Sequence, residues 1–262
     1  LNLLITKIKQ IGHTGTLDPF AKGVLPICIG KATRLIEYLP DDKEYLATVQ
    51  FGSATTTYDI EGEKTFLSDK KITEKDVLKE LKNFEGEIEQ LPPIYSAVKI
   101  KGKKLYEYAR KGEEVEIKPR KVVIEKIELK SFDENSQQAQ ILIKCSKGTY
   151  IRSIAHDLGK NLKVGGHLIE LIRTQAGKFR IENSCELVGI DVEKNLINPL
   201  EMLDLPIINV DNNDLEKIKN GVEIKAQKQN LLPFVLLVYN NDKICAVGQI
   251  EKEKIKLKKV FL

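Results

Sequence analysis

The stretch Gly12-His13-Thr14-Gly15-Thr16-Leu17-Asp18-Pro19-Phe20-Ala21-Lys22-Gly23 holds the residue types and spacing that could do chemistry. Its three glycines permit sharp turns and close approach of a ligand to the backbone. Pro19 pushes Asp18 out of the helical region and stiffens the loop that presents it. A carboxylate on a rigid loop can act as nucleophile or general base. The same Asp-Pro pair is also a helix start, with Asp18 as N-cap and Pro19 as first helical residue. The residues alone leave both readings open. A P-loop is excluded: six residues separate Gly23 from Gly30-Lys31-Ala32 where that motif has four, and no Ser or Thr follows Lys31.

A second candidate is Cys145-Ser146-Lys147-Gly148-Thr149-Tyr150-Ile151-Arg152. It opens a helical pattern, with Ile151, Ile154, Ala155, Leu158 and Leu162 on one face. Arg152 then falls in the first turn, where the helix dipole disfavours a cation. Either a carboxylate partner or a functional site explains such a breach, and an exposed arginine is the plainer alternative.

The elements that must position these groups follow from periodicity. Apolar residues alternate in 44–52 (Tyr45, Ala47, Val49, Phe51) and in 138–146 (Ala139, Ile141, Ile143, Cys145), which predicts two half-buried strands. Helices are expected over 32–39, stopped by Pro40, from Thr73 to about Phe84 with Val77, Leu78 and Leu81 inward, and over 105–110 with Gly112 beyond. Residues 4–11 read as the end of a helix, 24–29 as a short buried strand and 168–190 as largely strand. The turn Asn240-Asn241-Asp242 joins a hairpin within a small β-rich unit that begins near residues 203–208.

Net charge is only +4, but it is segregated. Residues 99–121 carry nine basic and four acidic side chains, and residues 251–262 carry five lysines against two glutamates. Such patches fit a polyanionic partner, and equally a solvated lysine-rich surface. The four cysteines are scattered and the three histidines do not cluster with them, against a zinc ribbon, an iron–sulfur site or a disulfide framework. That usage suits a reducing cytoplasm. No apolar run reaches the ~20 residues of a membrane span. The chain opens on Leu1 and its one methionine is Met202, which reads as a start lacking a leading segment.

Taken together, Gly12–Pro26 (Gly-His-Thr-Gly-Thr-Leu-Asp-Pro-x-Ala-x-Gly-Val-Leu-Pro) closely resembles the signature of TruB-type tRNA pseudouridine synthases. The likeness continues through Gly30-Lys31-Ala32-Thr33, Asp42-Lys43-x-Tyr45, Pro93-Ile94-Tyr95-Ser96-Ala97-Val98-Lys99, residues 102–110 and Ser146–Arg152. The usual opening Lys-Pro-x-Gly motif is missing.

The resemblance implies an α+β catalytic domain over 1–205, with a mixed, mainly antiparallel central sheet flanked by helices and an RNA-gripping thumb near 95–122. A small β-rich, PUA-like RNA-binding domain would occupy 206–262. It implies an isomerase converting uridine 55 in the T-arm loop of tRNA to pseudouridine without guide RNA, cofactor, metal or required protein partner; a monomer is the default expectation, in the cytoplasm that the cysteine usage suits. Asp18 would be the essential aspartate, Arg152 its cationic partner, and Tyr45 a base-stacking ring and candidate acceptor of the C5 proton. His13, Tyr150, Leu171 and Arg173 would contact substrate, with Lys99, Lys103 and Lys104 on RNA; His156 and His167 stay structural. Flipping a base out costs a few kcal/mol and stacking on one aromatic returns roughly 1–3, so His13 is expected to fill the vacated stack. A guide-dependent synthase and a non-catalytic RNA-binding protein are the alternatives.

Overall fold

The computed structural model describes residues 8–188, 190–226 and 233–262. These divide into two compact units, and the division is not a single cut near residue 205. One unit comprises Thr16–Leu25 and Asp41–Ser184; the other gathers the described residues up to Gly15, Pro26–Pro40 and those from Cys185 onward.

The first unit is built on one sheet. Its strands are β1 (Lys43–Phe51), β2 (Gly86–Gln90), β3 (Arg120–Asp133), β4 (Gln138–Cys145), β5 (Gly166–Ala176) and β6 (Phe179–Arg180). They lie in the order β6-β5-β1-β4-β3-β2, every neighbouring pair antiparallel, and Lys22–Gly23 adds a short parallel pairing to β5. The sequence alternation is realised directly: Ala47, Val49 and Phe51 of β1 and Ala139, Ile141, Ile143 and Cys145 of β4 are buried. Helices α1 (Glu74–Leu81) and α3 (Ile151–Asn161) contribute to the same core, and α2 (Leu105–Lys111) lies between them in sequence.

Thr73 caps α1 with a full capping box to Asp76. Leu78 stays exposed, and the inward stripe is Val77 and Leu81, with Phe84 from the 3₁₀ turn that follows. Gly112 ends α2 in the left-handed region at φ 66°. Between α3 and β5 the backbones approach so closely that a Cβ on Gly159 would run into Gly165 and Gly166. Gly159→Ala is therefore expected to cost at least the ~1–3 kcal/mol typical of overpacking, read as a lowered midpoint in denaturant titration.

The second unit contains β7 (Ile207–Val210), β8 (Ile224–Lys225), β9 (Phe234–Tyr239), β10 (Lys243–Glu251) and β11 (Lys254–Val260), ordered β7-β9-β10-β11-β8. The expected 240–242 hairpin joins β9 to β10. Gly30–Tyr38 forms a 3₁₀ helix rather than an α-helix and sends Leu35 and Tyr38 against Leu203, Leu236 and Val238. That apolar contact is why Pro26–Pro40 groups with the C-terminal residues. Ile11 opens a strand, Ile11–His13, paired with Ile27–Ile29, and residues 8–10 are not helical, so the described part of the helix expected over 4–11 does not form; its residues 4–7 lie outside the described ones. Residues 181–190 were expected as strand, but a 3₁₀ turn and irregular chain follow β6 among those described. Among the described residues no helix is long and apolar enough to cross a membrane.

Candidate active site

Asp18 sits in a turn closed by the Ala21 N–H donating to its carbonyl oxygen (2.9 Å). No helix begins there, so the N-cap reading falls away. Phe20 and Ala21 pack against the core of the first unit, and Lys22–Gly23 pairs with Ile172 and Arg173 of β5. Gly23 adopts φ 107°, and any Cβ there would strike the Arg173 backbone. Only glycine fits this seam. The Val24 N–H donates to the Arg173 carbonyl (2.9 Å) and Arg173 Nε donates to the Val24 carbonyl (2.7 Å). The chain just after Asp18 is thereby sewn to the sheet.

Arg152 is 6% exposed, which rules out a surface arginine. Its Nε donates to Asp18 Oδ2 and its Nη2 to Asp18 Oδ1, both at 2.9 Å. This bidentate fork is the strong form of charge-assisted pairing. Nη1 donates to the Thr57 carbonyl (3.3 Å) and Nη2 to the Tyr95 carbonyl (3.1 Å), while Asp59 Oδ2 lies 3.5 Å from Nη1. Two carboxylates therefore offset the unfavourable place of a cation in the first turn of α3. The helix start is itself fixed by Gln90, whose side-chain amide exchanges two hydrogen bonds with the Tyr150 backbone, and by Ser153 Oγ donating to the Leu91 carbonyl.

The two carboxylates differ. The Asp59 side chain is 4% exposed, and its Oδ1 accepts from Thr57 Oγ1 and the Glu61 N–H. The Asp18 side chain is 33% exposed, so it stays accessible where Asp59 does not. Burial raises the Asp18 pKa above the ordinary aspartate value, and Arg152 opposes that shift by Coulomb attraction and hydrogen bonding. A partly desolvated carboxylate with fixed orientation and one free approach is equipped for nucleophilic attack or proton transfer.

Tyr45 faces Arg173 in register across β1 and β5 and packs at the edge of the core. Burial pushes its pKa up to about 12, against the pull of the Arg173 charge and hydrogen bond. At neutral pH only ~1 in 10⁵ such hydroxyls is ionised. Tyr45 therefore presents a neutral ring, and could take a proton only while passing on its own.

The other expected residues fall in different settings. Arg173 is 1% exposed and committed to Val24 and Tyr45. Leu171 is buried within the core cluster. Tyr150 is half-buried at the start of α3. His13 is exposed, lies in the other unit, and accepts the Gly15 N–H on Nδ1 (3.2 Å). Lys99 and Lys103 are exposed and Lys104 half-buried on a two-stranded hairpin leading into α2. Asp59, Thr57 and Gln90 escaped the sequence reading. The available signal was a lone acid in the Thr-rich turn 55–59, and turn aspartates ordinarily face water.

The α+β fold thus carries a partly exposed, arginine-held aspartate on a rigid loop. The family model for the TruB pseudouridylate synthase N-terminal domain matches residues 4–151, and that for the tRNA pseudouridylate synthase B C-terminal domain matches 152–202. Similar curated proteins are tRNA pseudouridine synthase B of Caldanaerobacter subterraneus subsp. tengcongensis, 44% identical over 97% of this chain and 90% of that protein, and of Clostridium tetani, 42% identical over 98% and 92%. Among solved structures, a Cbf5-Nop10-Gar1 complex matches at TM-score 0.70 and 26% identity, covering 98% of this chain and 78% of that one. The chain belongs to the TruB family of pseudouridine synthases, which are isomerases.

Proposed function

We propose that this protein isomerises uridine 55 in the T-arm loop of tRNA to pseudouridine, unaided by guide RNA, with Asp18 as the essential carboxylate. The observation that carries the reading is the bidentate Asp18–Arg152 pair, buried at the arginine and open at the aspartate. The reaction breaks the N1–C1′ bond, turns the uracil and forms C5–C1′, with no net redox change. A carboxylate beside sugar and base supplies the covalent or proton-transfer assistance. Arg152 orients Asp18 and tempers its charge as the flipped uracil stacks on Tyr45. His13 fills the vacated base stack, and Tyr150 and Leu171 contact substrate. Arg173 serves substrate indirectly by fixing the Tyr45 ring. The relatives' name supports tRNA as partner; we place the protein in the cytoplasm as a monomer, with 206–262 as a PUA-like RNA-binding region. Incubating unmodified tRNA with the protein alone and mapping pseudouridine by carbodiimide chemistry tests the reading. Modification confined to position 55 is expected; none without added guide RNA would overturn it.

The thumb makes a separate prediction. Leu105 anchors it with full burial and a hydrogen bond to the Val98 carbonyl, and Tyr106 and Tyr108 lie beneath Lys104, Arg110 and Lys103 at 5.3–5.8 Å from ring centroids. The cations are thus held in a group that suits phosphates. Changing Lys99, Lys101, Lys103 and Lys104 together to Ala should weaken tRNA binding and reduce the slope of log affinity against log salt by up to about 3. Single-turnover rates on bound RNA should change little. An unchanged slope would mark these as ordinary solvated lysines.

A further inference from the structure

His156 and Tyr58 stack face to face, ring centroids 3.9 Å apart and planes 16° from parallel. Neither belongs to the site as so far described, yet each is covalently close to it. His156 follows Arg152 by one helical turn and shares its face of α3. Tyr58 stands between Thr57, whose carbonyl receives Arg152, and Asp59, whose carboxylate faces it.

The backbone at Tyr58 makes the stack informative. Its φ is 64°, in the left-handed region, and a bulky side chain there is a genuine outlier that its surroundings must hold in place. Glycine would adopt that conformation freely but would supply no ring. Two backbone bonds pin the residue: its N–H donates to the Thr55 carbonyl (3.3 Å), and its carbonyl accepts the Leu168 N–H (3.0 Å). The ring of His156 closes the remaining side.

The imidazole contributes a surface rather than a hydrogen bond. Its Nδ1 is buried with no hydrogen-bond partner among the described residues, an arrangement that disfavours the nitrogen and leaves the ring face as the useful part. The charged neighbours are Lys160, whose charge bears on His156 and on Asp157, and Asp157, whose charge bears on the Tyr58 hydroxyl.

We propose that His156 is a positioning residue: by stacking on Tyr58 it holds the 55–62 turn so that Thr57 and Asp59 grip Arg152 and thereby set the angle of Asp18. The proposal rests on the reading of Asp18 and Arg152 as the reacting pair.

The test is single-turnover pseudouridine formation at saturating enzyme, with tRNA affinity by filter binding and thermal melting on the same samples. His156→Ala should slow the rate about 10- to 100-fold, the scale of a small misplacement of reacting groups, with affinity within about 3-fold. His156→Phe keeps the ring and should restore the rate to within about 3-fold of wild type, with an unchanged pH profile. Tyr58→Gly relieves the backbone while removing the stack, and should match the loss in His156→Ala; it carries the test if His156→Ala does not fold. The two together should be no slower than either alone, since both delete one contact. A wild-type rate in folded His156→Ala, multiplicative losses in the double variant, or His156→Phe as slow as His156→Ala would each overturn the proposal. Full activity of Asp18→Asn would instead overturn the underlying reading, so the two failures are distinguishable.

Discussion

Replacing Asp18 by Asn is expected to abolish pseudouridine formation, by at least about 10⁴-fold in single-turnover rate, while tRNA affinity stays within a few-fold. Removing a nucleophile or its equivalent has effects of this size. The amide keeps the shape of the carboxylate and can still accept one bond from Arg152, but its NH₂ faces a donor where an oxygen now receives the second. Arg152 retains the Thr57 and Tyr95 carbonyls and Asp59, so the fold should persist. Carbodiimide mapping and thermal melting check both halves. The wild type carries a related pH signature. The Asp18 pKa is raised, and the proposed role uses its ionised form, so the rate should fall on acidification at higher pH than an ordinary aspartate would give. Wild-type-like turnover by Asp18→Asn would remove Asp18 from the mechanism.

Arg152→Ala should lose activity and stability together. It strands Asp59, 4% exposed, without its cation, and removing one partner of a buried ion pair costs about 3–5 kcal/mol. The double variant Arg152→Ala with Asp59→Asn separates the two losses. Neutralising the stranded carboxyl should recover part of the melting temperature, whereas activity should stay absent because Asp18 still lacks its fork. Denaturant titration beside single-turnover kinetics reads both. Full activity in folded Arg152→Ala would show that the fork is dispensable to the reaction.

The parts of this protein set by local pattern were legible without coordinates. Alternation in 45–51 and 139–145 marked both central strands and their inward faces, because a strand exposes every second residue to one side. The helical stripe from Ile151 to Leu158 placed Arg152 in a first turn, and Gly112 marked the end of α2. The stiffened Asp-Pro loop was visible as a candidate for chemistry, and its likeness to a known signature named the family.

What the sequence alone determined, then, is which faces are apolar, where the chain must turn, that Arg152 breaks a local rule and that Asp18 sits on a loop stiffened by Pro19. The tertiary structure alone decided which charges meet. Asp18 and Arg152 are 134 residues apart, and they pair because the sheet order brings β5, next to the Asp18 loop, beside β1 while α3 packs on the same core. Asp59 looked like any turn aspartate until the 55–62 turn closed over Arg152. Arg173, expected to contact substrate, is buried where Gly23 lets the backbone sit against it. The 3₁₀ segment Gly30–Tyr38 joined the C-terminal unit through Leu35 and Tyr38, a contact no local period encodes. The physical reason is common to all four. Periodicity reports burial along one element, whereas a buried charge or an apolar face finds its partner through the order in which distant elements pack.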